Sequence, residues 1–297
     1  MNKTLNVTLD FDNARLDRWI RKNISVIPQS LIEKTLRQGL IKVNNKKVKS
    51  SHKLKFKDLI NIYNFNPKSI NLTKTKYIPD KKEVTSSESF IIENNDDFIV
   101  VNKPSGVPVQ GGTKSYKNLV DTLAKSEIFK DSMPYIVHRI DKDTSGILLI
   151  SKTRKSAQLL TSLFRIRKIY KTYLAICENS FEKNSGELHH NLERFEGKKK
   201  IIESAKTIFK VIDKNNLATL VSLNPITGRK HQIRKQLSII GHPIIGDKKY
   251  NIRTRGDKLM LHAYSIMFKI GKKKFNYKVS YPDYFMKALQ KKRLRKI

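Results

Sequence analysis

Apolar positions first fall at helical spacing in "ARLDRWIRKN", where Leu16, Trp19 and Ile20 share one face and basic residues take the others. The next stretch, "PQSLIEKTLRQG", predicts a second helix, with Ser30 as N-cap, Glu33 three residues on and Gly39 as C-cap. Alternation then replaces the helical period. "LIKVNNKKV" and "KDLINIY" read as short strands, with "NN" as a turn between two runs. Two helices and a hairpin in residues 13–63 make a compact basic module, too small for a large core. Residues 64–85 show no sustained period, are rich in polar residues and read as a linker. From Phe90 the apolar runs return: "FIIENNDDFIVVNKPSG" is strand, turn, strand and a Pro/Gly break. Residues 86–297 form the second domain, with strands and helices in mixed order, no βαβ repeat and a basic "RLRKI" tail.

Charge changes this picture more than composition does. The chain has 297 residues, with 61 Lys+Arg against 26 Asp+Glu, a formal net charge of +35. A surface this basic repels itself unless an anion binds it. Nucleic acid is the leading partner and an anionic membrane surface the weaker one. A general bias toward lysine accounts for part of the excess, as runs such as "NNKKVK" suggest. Cys177 is the only cysteine, which excludes a disulfide framework and a cysteine-based zinc site. No stretch approaches 18 apolar residues, and the first residues lack a signal-peptide core, so the expectation is a soluble, cytoplasmic protein.

Three segments carry candidate chemistry. In "YIVHRIDKDTSGILLISKT", residues 135–153, charged side chains are squeezed between two apolar strands. Such residues either reach solvent at a strand end or line a cleft. On spacing alone, Asp141, Asp143, Thr144 and Ser145 serve equally as partners of the turn backbone. In "IRKIYKTYLAIC", strand alternation puts Lys171 and Tyr173 on one face. In "LNPITGRKHQIRKQLSIIGHPIIGDKKY", a strand ends at Pro225, Gly228 supplies a turn and a helix begins near His231. Arg229, Lys230, His231 and Arg234 crowd that helix start, which favours a phosphate or carboxylate partner over a merely solvated turn.

Two family resemblances organise these segments. Through "RLDRWI", "QSLIEKTLRQGLIKVNNKKVK" and "DLINI", the N-terminal module resembles the S-four RNA-binding domain. That resemblance implies that Arg18, Arg37, Lys42 and Lys46 contact RNA backbone; Lys57-Asp58 stands where the family usually has Gly-Asp. The second domain resembles the pseudouridine synthases that modify ribosomal RNA. The family hallmark, His-Arg-Leu-Asp, two variable residues and Thr-Ser-Gly, reads "HRIDKDTSG" here. "VVNKPSGVPVQGG", "KTYLAI", "SAKTIF", "PITGRKHQIR", "GHPIIGD" and "LMLHA" follow in family order across most of residues 90–270. Departures are Gln110 where His is usual and Lys235-Gln236 where Val-His is common.

The resemblance implies an α+β fold: the S-four module, then a catalytic domain on a mixed, largely antiparallel sheet with flanking helices. It implies a reaction without cofactor or metal on structured RNA, 23S rRNA of the large subunit. By resemblance Asp141 is the catalytic carboxylate, Tyr173 the active-site tyrosine and Arg139 the side chain that fills the gap of a flipped nucleotide. Arg234 is the candidate that keeps Asp141 ionised, and the tyrosine hydroxyl is expected to help remove a proton. Arg229 and Lys230 are expected at the RNA, Lys103 at the RNA backbone or paired with an acid, and His138 is expected to be a hydrogen-bonding scaffold. Competing expectations are a synthase for tRNA or other 23S sites, a non-catalytic ribosome-assembly factor, and a glycosidase that uses Asp141 with Asp143 to release uracil.

Overall fold

The chain divides into two units, residues 1–75 and 76–297, in a computed structural model that describes residues 2–25, 27–64, 77–111, 117–196, 199–253 and 258–296. Most of the expected linker and Gly112 of the "VPVQGG" stretch lie outside the described residues.

The first unit contains β1 (Lys3–Asn6), α1 (Leu16–Asn23), α2 (Gln29–Gln38), β2 (Ile41–Val43) and β3 (Leu59–Ile62). The apolar face foreseen for α1 is the one that is buried, and Leu16, Trp19 and Ile20 meet Ile32 and Leu36 of α2 over the strands. Gly39 ends α2 in the left-handed region at φ +74°, and the "NN" turn holds Asn44 and Asn45 at φ +48° and +62°. Lys57 takes φ +69° where glycine was the expected residue. The Asp58 carboxylate braces that turn by accepting the Lys55 N–H and the Asn44 amide, each at 2.8 Å.

One local reading needs correction. The N-cap of α2 is Pro28, not Ser30. Proline pre-sets the backbone entering a helix, and Glu33 is drawn instead to the Ser50 hydroxyl and the Gln29 amide. A strand before residue 13, β1, pairs antiparallel with β3.

The second unit runs α3 (Lys81–Glu88), β4 (Ile91–Asn94), β5 (Phe98–Lys103), α4 (Leu119–Leu123), β6 (Tyr135–Ile136), β7 (Ser145–Ser151), α5 (Arg154–Arg165), β8 (Tyr170–Glu178), β9 (Ser185–Glu196), β10 (Lys199–Lys214), β11 (Ala218–Pro225), α6 (Gln232–Ile239), β12 (Leu261–Ile270), β13 (Lys273–Lys278) and α7 (Asp283–Lys291). Helix α3 lies where the linker was expected to end. Its signal is an Asp80/Glu83 capping box, and with Val84 as its one large apolar residue it shows almost no periodicity.

The main path through the sheet is β4-β5-β7-β12-β8-β11-β10-β9, with β6 on β7 and β13 on β12. β7 and β12 run parallel and the remaining paired strands antiparallel, so the mixed, largely antiparallel sheet is as expected. The parallel contact requires Gly146, since a methyl group there would lie 2.2 Å from the Ala263 carbonyl oxygen. That close approach seats the "DTSG" turn against β12.

Candidate active site

The turn that carries Asp141 is held from beneath. Lys103, at the end of β5, is fully buried, and its ammonium donates to the carbonyl oxygens of Pro104 at 2.8 Å, Val107 at 2.9 Å and Lys142 at 2.9 Å. Three acceptors match the three N–H bonds of an ammonium. Burial lowers its pKa to about 7, against the pull of Asp143 and Asp141. The Gly106 N–H adds a second bond to the Lys142 carbonyl, and the Ser105 hydroxyl donates to the Asp143 carbonyl at 2.7 Å. "NKPSG" therefore clamps the turn that carries Asp141. The expectation of an RNA contact at Lys103 is overturned, because its ammonium is spent on backbone carbonyls and sealed from solvent.

His138 fits the scaffold reading. Its Nε2 accepts the Leu149 N–H at 2.8 Å and its ring stacks on Phe164 at 4.5 Å. Burial, and then the charge of Lys171, lower its pKa to about 3, so the imidazole is neutral at physiological pH.

Helix α6 supplies the facing cation. Gln232 and Gln236 are one helical turn apart and both bind β10. The Gln232 amide donates to the Lys206 carbonyl and the Thr207 hydroxyl, and Thr207 donates to Gln236 at 2.7 Å. Gln236 is fully buried and donates to the carbonyls of Leu188 and Ala205, which explains how glutamine is accommodated at this departure from the family pattern. Arg234, between the two glutamines, points elsewhere.

The Arg234 Nε and Nη2 each donate at 2.7 Å to the two oxygens of Asp247, while Nη1 reaches Asp141 at 3.4 Å. Burial works against the guanidinium charge, but the bonds from Asp247 outweigh it and raise the Arg234 pKa. Asp247 is fully buried, accepts the backbone N–H groups of Lys249 and Tyr250, and is held below the usual carboxylate range by Arg234 despite burial. The Tyr250 ring lies 5.2 Å from the guanidinium carbon.

Asp247 is the site residue that sequence reasoning missed, whereas His231 was already placed among the anion candidates at the helix start. Asp247 closes "GHPIIGD", and the glycine before it was the available signal: a methyl group on Gly246 would lie 1.8 Å from the Lys258 carbonyl oxygen. His231 sits at φ +53° at the start of α6, with Nε2 3.7 Å from Asp141 and Nδ1 2.9 Å from the Tyr250 hydroxyl. Burial lowers its pKa against the pull of Asp141, which favours the neutral ring.

Asp141, Tyr173, Arg234, Arg139 and Lys171 all line one cavity of about 580 Å³. Asp141 is half-buried, with 28% of its side chain exposed, so its carboxylate is reachable from the cavity. Tyr173 lies on β8 between Leu223 of β11 and Ala263 of β12. Burial and then the charge of Asp141 raise its pKa, so the phenol stays protonated at neutral pH and is no ready base. Lys171 shares the face foreseen for it, and burial lowers its pKa. Arg139 is exposed at the cavity wall.

Among the RNA candidates of this unit, Arg229 is tied to Glu203 at 3.0 Å and to the Ser204 carbonyl at 3.1 Å, while Lys230 is exposed. Asp143 is exposed and outside the cavity lining, which removes the second acid from the glycosidase reading. In the N-terminal unit Arg18, Arg37 and Lys46 are exposed, and the half-buried Lys42 holds its ammonium 5.1 Å from the Tyr63 ring. Among the described residues no three His, Cys, Asp or Glu side chains converge to hold a metal ion. None of the described helices is long and apolar enough to cross a membrane.

The Asp141 carboxylate, backed by Arg234, and the Tyr173 phenol thus share one cavity of about 580 Å³. Residues 97–239 match the RNA pseudouridylate synthase family and residues 14–60 match the S4 domain. A ribosomal large subunit pseudouridine synthase C of Vibrio parahaemolyticus is 33% identical over 279 residues, covering 88% of this chain and 87% of that one. The protein of the same name from Rickettsia bellii is 36% identical over 296 residues, covering 92% and 96%. The solved human RNA pseudouridylate synthase domain containing 4 shares the fold, with a TM-score of 0.63 at 24% identity over 72% of this chain and 98% of that one. The chain belongs to the RNA pseudouridylate synthase family and carries an N-terminal S4 domain.

Proposed function

We propose that the chain isomerises specific uridines of large-subunit ribosomal RNA to pseudouridine in the cytoplasm. The reading is supported by the names and coverage of its relatives. The observation that carries it is the Asp141 carboxylate 3.4 Å from an Arg234 that Asp247 holds rigid, in the cavity that also contains Tyr173.

The reaction breaks the bond between uracil nitrogen and ribose and rejoins the same two pieces through carbon. Atoms balance without an added reactant: one C–N bond is lost, one C–C bond forms, and a proton moves from carbon to nitrogen. An ionised carboxylate serves here either by bonding to carbon or by stabilising the positive charge that develops on the sugar. Arg234 favours that ionised form and aims it, and Asp247 prevents the guanidinium from collapsing fully onto Asp141. A salt bridge made too well would quench the nucleophile.

The target leaves its stack to enter the cavity, and Arg139, a planar cation at the wall, fills the gap it leaves. Tyr173 stacks on the base. Because its phenol keeps its proton, it relays rather than abstracts, passing the proton through Asp141 or water to the freed uracil nitrogen.

The test is Asp141→Asn. The variant is expected to bind rRNA like the wild type and to lose pseudouridine formation by at least about 10³-fold, as for removal of a catalytic nucleophile. Identical modification maps from wild type and variant would overturn the assignment and favour an assembly factor. Release of free uracil would favour a glycosidase.

A further inference from the structure

A second cavity, of about 380 Å³, is lined by Leu163, Lys168, Tyr170, Met267, Phe268, Lys269 and Lys274. The linings of this cavity and of the catalytic cavity alternate along residues 163–171. Leu163 lines this one and Phe164 the other, and Tyr170 lines this one and Lys171 the other.

Two features of this cavity are costly in an isolated protein. Lys269 and Lys274 are directly opposed partners across β12 and β13, and like charges so placed repel. Both are exposed, as is Lys168, and none of the three has an acidic partner among the described residues. Beside them Tyr170, directly opposed to Met267, leaves 57% of its surface in solvent. A single ligand relieves both costs if it has a flat apolar face for the tyrosine and a phosphate for the lysines. A nucleotide has both, and stacking on an aromatic ring beside cations is how unpaired nucleic acid is held without regard to sequence.

We propose that this cavity holds an unpaired nucleotide of the substrate RNA, next to but distinct from the target uridine, with its base on Tyr170 and its phosphates against Lys168, Lys269 and Lys274. The site rests on the RNA-isomerase reading and deepens it. It makes efficient modification depend on RNA that extends beyond the target loop.

The test uses the full chain, a structured rRNA fragment, and a short oligonucleotide that contains only the target loop. On the long fragment, the triple variant Lys168→Gln, Lys269→Gln, Lys274→Gln is expected to raise KM about tenfold, leave kcat unchanged and flatten the log–log salt dependence of binding by about 2. Tyr170→Ala is expected to raise KM about tenfold on the same fragment. On the short oligonucleotide both variants behave as wild type, which also reports that they fold. Unchanged KM and salt slope on the long fragment overturn the site, as do equal losses on both substrates. A wild type that converts neither RNA overturns the underlying isomerase reading instead.

Discussion

The cavity around Asp141 and the N-terminal module both rely on arginine and lysine, and they use them in opposite ways. Arg234 has 8% of its side chain exposed and is fixed by two 2.7 Å bonds to a fully buried aspartate. Lys103 is buried completely and has all its donors engaged. Arg18, Arg37 and Lys46 lie open on their own unit, with no acidic partner among the described residues. A buried cation acts through geometry: it is costly to desolvate, so it is matched bond for bond, and moving it by an ångström disables what it aims. An exposed cation acts through its charge, roughly additively, and loses its effect in salt.

The comparison breaks most sharply at Asp247. Asp247→Asn leaves Arg234 buried and underpaired, which costs about 3–5 kcal/mol of stability by urea denaturation. The freed guanidinium is expected to turn onto Asp141, so kcat falls about 10²-fold with KM nearly unchanged. Full activity in that variant would mean that the buried ion pair does not position the carboxylate.

An intermediate effect is expected on the open side of the comparison. Replacing Arg18, Arg37 and Lys46 together by Gln is expected to raise KM for structured rRNA about tenfold at low salt and to flatten the salt slope by about 2, without altering kcat. A drop in kcat would show that these cations do more than add charge. A salt response equal to wild type would remove them from the RNA interface.

The smallest effect sharpens the contrast through pH. His138 and His262 have folded pKa values of about 3 and about 4, lowered chiefly by burial from an ordinary 6.5. The unfolded chain therefore takes up protons below pH 6.5 that the folded chain refuses. The stability these residues supply is full above pH 6.5 and is lost as pH falls, by about 1.4 kcal/mol per pH unit for each histidine, down to their folded values. His138→Gln, which keeps an acceptor for the Leu149 N–H, is expected to remove one proton from that slope in denaturation series between pH 6.5 and 4.5. An unchanged slope would show that some other group carries the linkage.

Much of this was legible beforehand because the signals are local. Helical spacing in α1, the left-handed Gly39, the "NN" turn and the alternation of Lys171 with Tyr173 each depend on neighbours a few residues away. The fold class and the site triad came from ordered motifs, and the structure brings Asp141, Tyr173 and Arg234 to one cavity. The readings that failed involve competition over distance. Ser30 lost the capping position to Pro28, and β1 was missed because four residues with no buried side chain give no pattern. Lys103 looked like a surface cation because nothing in "NKPSG" reveals that the Lys142 carbonyl, 39 residues away, waits for it.

By itself the sequence determined most of the helices and strands and the basic charge through residue type and short-range spacing, while its ordered motifs pointed to the family and to the candidate site residues. Only the tertiary structure decided that Asp247, 13 residues from Arg234, takes most of the guanidinium and leaves Asp141 a looser contact, and that Lys103 faces inward. Burial and the pairing of charges depend on which distant segments share the same small volume, and spacing along the chain does not encode that.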